Sequence, residues 1–213
     1  MGSNPTPSAT AMETFKETIL RLSKTNIKTK GDIFKATADY LEETGKKEVV
    51  FQIERKMADY GCPLKLGEVK TMDWYPITIE MAMFFALVEV LDWGEKEIKE
   101  FGKNFAKLSF IGRVMVRYFL VSKKTFAQTP KIWRKHMSSG ELEVAEIDTE
   151  KNYVIFRLKY FDLHPLYCIF LSGIFEKMGT FFPKAEGKEI LCEETKCSFR
   201  GGPYHEFFIH FAD

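Results

Sequence analysis

The chain has 213 residues, 45% of them hydrophobic and 15% aromatic, enough to bury a sizeable core. Its 31 Lys and Arg against 30 Asp and Glu leave a net charge of +1, which excludes the strong basic field of a nucleic-acid binder or of a protein held on an acidic membrane surface. The longest apolar run, Met81 to Leu91 with Glu89 inside it, falls well short of the roughly 20 residues of a membrane span, and four cysteines are too few for a disulfide scaffold, so a reduced, cytoplasmic setting is expected.

Residues 1–11, with neither a basic stretch nor an apolar one, read as a disordered tail. Helical spacing begins at Met12 and runs to Ser23, then returns over 32–43, where Ile33, Ala36, Thr37, Tyr40 and Leu41 share a face and Gly45 ends the helix. Val50, Ile53 and Met57 predict a third helix over 47–60, stopped by Gly61-Cys62-Pro63. Asp73-Trp74-Tyr75-Pro76 opens an apolar helix over 77–91, and Gly94 starts another toward Lys107. Two more helices, 110–121 and 123–137, lead to Ser138-Ser139-Gly140, where the period changes from helical to alternating.

Beyond that boundary 141–147 and 152–161 flank a polar turn, and Val154, Phe156, Leu158 and Tyr160 alternate with Arg157 and Lys159 as in a hairpin with one buried face. Pro165 suits the first turn of a helix to about Phe181, and 189–198 and 204–212 read as two further strands. The predicted fold class is α/β in the α+β sense. A helical region, 12–140, packs on a β-β-α-β-β core with an antiparallel sheet, 141–213.

Cys168, Glu194, Cys197 and His205 are the candidate metal ligands, a set of the kind that holds Zn²⁺ in a closed, structural tetrahedron. Residues three apart on a regular strand point to opposite faces, so Glu194 and Cys197 share an ion only if the strand bends. In the alternative reading the cysteines are small buried hydrophobes and Glu194 is a surface carboxylate.

These residues carry a resemblance. Cys168-x4-Gly173 on an apolar helix, then Glu194-x2-Cys197, a glycine loop and His205 eight residues on, resemble the 4-vinyl-reductase domain family, which is related to phenol-sensing regulators and small TRAPP-complex subunits. The matching stretch runs from about Glu141 to Asp213. The resemblance implies an antiparallel sheet packed on helices, dimerisation and the binding of small or lipid-like hydrophobic molecules. It also implies a zinc site, which the phenol-sensing members build from Cys, Glu, Cys and Cys. Here His205 stands for the last cysteine, and the interval from the helix cysteine to the glutamate is a few residues longer.

Trp133 and His136, three apart on one helix, form a candidate ligand pocket with Tyr118, Phe126 and His164. Arg113, Arg117, Lys123 and Lys124 read as a solvated basic face, and His210 points away from His205. No nucleophile elbow, phosphate loop or His-Glu-x2-His motif is present, so a catalytic role has little support in the sequence. The expected function is a non-catalytic sensor or carrier for a hydrophobic small molecule, a homodimer with a structural zinc, acting through a separate signalling protein. One rival is a dimeric scaffold with a vestigial pocket. The other is a haem-type gas sensor with His164 or His136 as axial ligand.

Overall fold

The computed structural model describes residues 14–108, 129–148, 150–180, 185 and 187–211. Tyr118, Phe126, the basic stretch from Arg113 to Lys124, the predicted helix over 110–121 and the tail over 1–11 lie outside the described residues. The α+β class holds, with helices dominating the first half and an antiparallel sheet the second.

Helix α1 (Phe15–Leu22) starts on a capping box, in which Glu17 N donates to the Thr14 hydroxyl and Thr14 N to the Glu17 carboxylate. Strand β1 (Lys28–Lys30) is followed by α2 (Asp32–Glu43), a single 3₁₀ turn (Lys47–Val49) and α3 (Val50–Asp59), so the third predicted helix is tightened at its start. Strand β2 (Trp74–Pro76) pairs antiparallel with β1, Thr29 opposite Tyr75, where the sequence suggested only the entry to a helix. Helix α4 (Ile77–Leu91) is apolar nearly all round and buried from Met81 to Leu87, as a central core helix must be. Asp92, in the left-handed region, ends it.

Helix α5 (Glu95–Leu108) buries Ile98, Phe101 and Phe105. Helix α6 (Thr129–His136) lies within the 123–137 expected, of which residues 123–128 are outside the described residues. Strands β3 (Glu141–Asp148) and β4 (Tyr153–Lys159) form a hairpin, α7 (Pro165–Gly179) crosses behind, and β5 (Ile190–Lys196) and β6 (His205–Phe211) complete a sheet of order β3-β4-β6-β5. Val154, Phe156, Leu158, Ile190, Cys192, Phe207 and Ile209 face α7 and are buried. The other face carries an ion ladder of Lys159 with Glu143 and of Arg157 and Lys196 with Glu206.

Helices α5 and α7 touch backbone to backbone. A Cβ on Gly173 would sit 2.0 Å from the Lys99 carbonyl oxygen, and one on Gly102 2.2 Å from that of Phe170. Lys99 and Lys103 bracket this crossing with ion pairs to Glu176 at 2.7 and 2.5 Å. Phe84, Phe101, Phe105 and Phe170 fill the space beside it, with ring centroids 4.9 to 6.0 Å apart. No helix among the described residues is long and apolar enough to cross a membrane.

Candidate functional site

Two groups of side chains meet at the joint between the helical half and the sheet. The first is at the mouth of α7. His164, with its backbone extended, caps the helix by accepting the Leu166 N–H on Nδ1 at 3.2 Å, and Pro165 occupies the first helical position. Cys168 follows one turn on, facing the end of β5 and the start of β6.

On β5, Ile190, Cys192 and Glu194 share the core-facing side. The register with β6 then slips between Glu194 and Lys196, a bulge that turns Cys197 toward the same place. The bend that the spacing of Glu194 and Cys197 requires is therefore present. Ligand atoms of Cys168, Glu194, Cys197 and His205 lie within 4.8 Å of one another, a donor set that could hold a metal ion.

His205, only 2% exposed, is the hub of this cluster. Its Nδ1 lies 2.9 Å from Glu194 Oε1 and 3.4 Å from Cys168 Sγ. On the other side Nε2–H donates to the Phe161 carbonyl at 3.1 Å, with Ser198 Oγ 2.8 Å away, and the Ser198 hydroxyl donates to Asp162. Burial pushes the Cys168 thiol far above its usual range, and the neighbouring Glu194 carboxylate adds to the shift. Burial alone would raise Glu194 too, but hydrogen bonds from His205 and Cys197 hold its carboxyl below the ordinary value. Ser198, Asp162 and the Phe161 carbonyl were not legible as members, because they come from the β4–α7 and β5–β6 loops and carry no spacing signal.

The second group lies where α6, β1, α4 and α7 converge. Trp133 is buried, donates through Nε1 to the carbonyls of Ser139 (3.0 Å) and Gly140 (3.1 Å), and meets Phe161 edge-on at 4.9 Å. It ties α6 to the start of β3. His136, half-buried as a residue, sets its ring edge-on to Phe105 at 5.5 Å, and its Nδ1 is buried with no hydrogen-bond partner among the described residues. Burial lowers its pKa to about 4, against the pull of Asp32, so the ring is neutral at physiological pH. Next to it, Met137 bridges to Thr29, Ser138 N donates to the Lys28 carbonyl at 2.9 Å, and Lys28 N donates to the Ser138 hydroxyl at 2.7 Å. The expected pocket is thus split. Trp133 and His136 lie on α6, while the His164 ring sits at the start of α7, edge-on to Phe15 (5.8 Å) and Phe85 (5.1 Å).

No model of a known family matches the chain, and no curated protein does. Solved structures share its fold. An H-NOX protein from S. oneidensis in the Fe(II)NO ligation state superposes with a TM-score of 0.61 at 11% identity, over 86% of this chain and 99% of that one. The Fe(II) unliganded H-NOX protein from K. algicida gives 0.57 at 17%, over 86% and 97%. A structure from work on haem distortion in the H-NOX family gives 0.61 at 14%, over 86% and 95%. At such identities the likeness is one of fold. It corrects the cofactor expected from the sequence, since these structures are named for Fe(II) and haem and not for Zn²⁺. The physical reason is that spacing identifies donor atoms, whereas the group that a fold encloses depends on an interior the spacing does not describe.

Proposed function

We propose that the chain is a small-molecule sensor domain that takes up a haem through His136. The observation that carries this reading is the Nδ1 of a neutral imidazole, buried with no hydrogen-bond partner among the described residues, the form in which a histidine would hold a haem iron. Each of the other three imidazoles has at least one ring nitrogen engaged: His164 Nδ1 caps α7, His205 is held on both nitrogens, and His210 Nδ1 lies 2.7 Å from the Phe211 carbonyl. His136 therefore replaces His164 as the better of the two axial candidates.

When bound, haem supplies an iron that coordinates a diatomic gas reversibly. The chain's own part is to place the imidazole and register its movement. Phe105 packs against the ring and Trp133 anchors α6 one turn earlier. The Met137–Thr29 bridge and the paired Lys28–Ser138 hydrogen bonds join the end of α6 to β1. A shift at His136 is thereby carried to β1 and on to its partner β2, and to β3 through the Trp133 bonds. The Cys168–Glu194–Cys197–His205 cluster holds the mouth of α7 to the β5–β6 hairpin and so keeps the sheet side of the joint rigid.

Reconstituting the full chain with haem should give a Soret band, His136→Gly should lose it, and added imidazole should restore it. A wild type with no Soret band after reconstitution rejects haem uptake. The 4-vinyl-reductase resemblance of the stretch from Cys168 to His205 supports a second reading, a haem-free sensor for an apolar small molecule. An apolar ligand retained in native mass spectrometry by a colourless protein would support it. Dimerisation and a separate signalling partner belong to either reading.

A further inference from the structure

Glu80 is the one acidic residue within the first half of the apolar helix α4, and it is fully buried. Its Oε1 accepts a hydrogen bond from the Tyr167 hydroxyl of α7 at 2.9 Å, and that hydroxyl also lies 3.9 Å from Met137 Sδ at the end of α6. Its Oε2 is buried with no hydrogen-bond partner among the described residues. On Glu80's other side stands the Thr29 hydroxyl of β1, close enough to act on the carboxyl but outside normal hydrogen-bond geometry. A carboxylate desolvated in this way carries its charge at a cost in free energy, which protonation removes while the Tyr167 hydrogen bond stays in place. Four elements, α4, α7, β1 and the end of α6, therefore converge on one carboxyl.

We propose that Glu80 and Tyr167 form a proton-linked latch at this joint, closed when the carboxyl is protonated and loosened when it ionises. Among the described residues no cation stands against the carboxyl to stabilise its charge. On β1, Lys28 and Lys30 flank Thr29 in sequence, with side chains on the opposite face of the strand from Thr29. On α6 the nearest titratable group in sequence is His136, and Asp32 opens α2 beside β1. From α1 and α3, Lys16 and Lys56 act on Glu89, at the far end of α4. Tyr167, raised well above its usual range by burial and then by Glu80, stays a donor throughout.

Burial lifts the Glu80 carboxyl from 4.5 to about 7, although Thr29 and Tyr167 pull it down. A folded value above the unfolded one means that the native state holds the extra proton between them. Stability is complete below about 4.5 and falls as pH rises toward about 7, by roughly 300-fold in the folding equilibrium. His136 acts in the opposite sense, because its lowered value removes stability as pH falls from 6.5 toward about 4. The latch is therefore read as a difference between proteins measured in parallel.

Thermal melting of the full chain from about pH 5 to about pH 8.5 should show the wild type losing on the order of 10 °C relative to Glu80→Gln across that range. Tyr167→Phe removes a donor that favours the carboxylate, so its descending limb should extend to higher pH than that of the wild type. Melting curves of wild type and Glu80→Gln that run parallel at every pH overturn the latch. If Glu80→Gln does not fold, an unshifted limb in Tyr167→Phe overturns it equally. None of these measurements requires haem, so the failure of haem uptake leaves the latch standing and the converse holds.

Discussion

Gly173→Ala is expected to lower stability by about 3 kcal/mol or more, a fall in melting temperature of roughly 6 to 12 °C. The added methyl would lie 2.0 Å from the Lys99 carbonyl oxygen, 2.9 Å from its carbon and 3.1 Å from Lys103 N. All three are backbone atoms of a helix, so no side-chain rotation relieves the clash and α5 must move away from α7. That movement unpacks Phe101, Phe105 and Phe170, which are almost fully buried, and stretches the Glu176 ion pairs with Lys99 and Lys103. Gly102→Ala meets Phe170 O at 2.2 Å and should behave alike. Gly67→Ala, with nothing within 4 Å of the new methyl, is the control and should stay within about 0.5 kcal/mol of wild type. Urea denaturation of the three proteins decides the matter: a Gly173→Ala midpoint equal to that of Gly67→Ala would mean that the two helices do not touch here.

Glu194→Ala should cost about 3 kcal/mol at neutral pH. The carboxylate is the shared acceptor of the cluster, 2.9 Å from His205 Nδ1 and 3.0 Å from the Arg200 guanidinium, with the Cys168 and Cys197 thiols against it. Removing it leaves a buried imidazole and two buried thiols without their acceptor, which costs more than the lost bonds themselves. Because the folded carboxyl titrates below its unfolded value, its contribution is complete above about pH 4.5 and disappears as pH falls through the folded value. The gap between wild type and Glu194→Ala should therefore narrow on acidification. Denaturation curves at about pH 7 and about pH 3.5 measure this, and a gap that is constant or widens in acid contradicts the assignment of Glu194 as an ionised acceptor.

Residues with a local signal were legible. The three- and four-residue spacing of Ile33, Ala36, Tyr40 and Leu41 predicts α2, and the alternation of Val154, Phe156 and Leu158 predicts β4, since each period reports the one face an element buries. The β1–β2 pairing was not legible, because two three-residue strands separated by more than forty residues of chain carry no alternation long enough to recognise. The slip in β5 after Glu194 was recognisable only as a requirement of the proposed cluster, and the strand itself gave no sign of it. Glu80 passed unremarked: one acidic residue at the start of an apolar helix looks like a solvent-facing position until α7 and β1 are laid against it. The spacing of Trp133 suggests pocket lining and gives no sign that its indole fastens α6 to Ser139 and Gly140.

By itself the sequence determined the α+β class, the order of the elements from α7 through β6, and the four donor types that gather at His205. Periodicity and residue chemistry are properties of short stretches, and they survive whatever the rest of the chain does. The tertiary structure alone decided which buried groups lack partners, and so where chemistry is available. Among the described residues Glu80 Oε2 and Thr29 Oγ1 are buried without partners where α4, α7 and β1 converge, and His136 Nδ1 where α6 meets Phe105 of α5. Desolvation depends on every atom brought within a few ångströms, from elements far apart along the chain, and one-dimensional spacing holds no record of that approach.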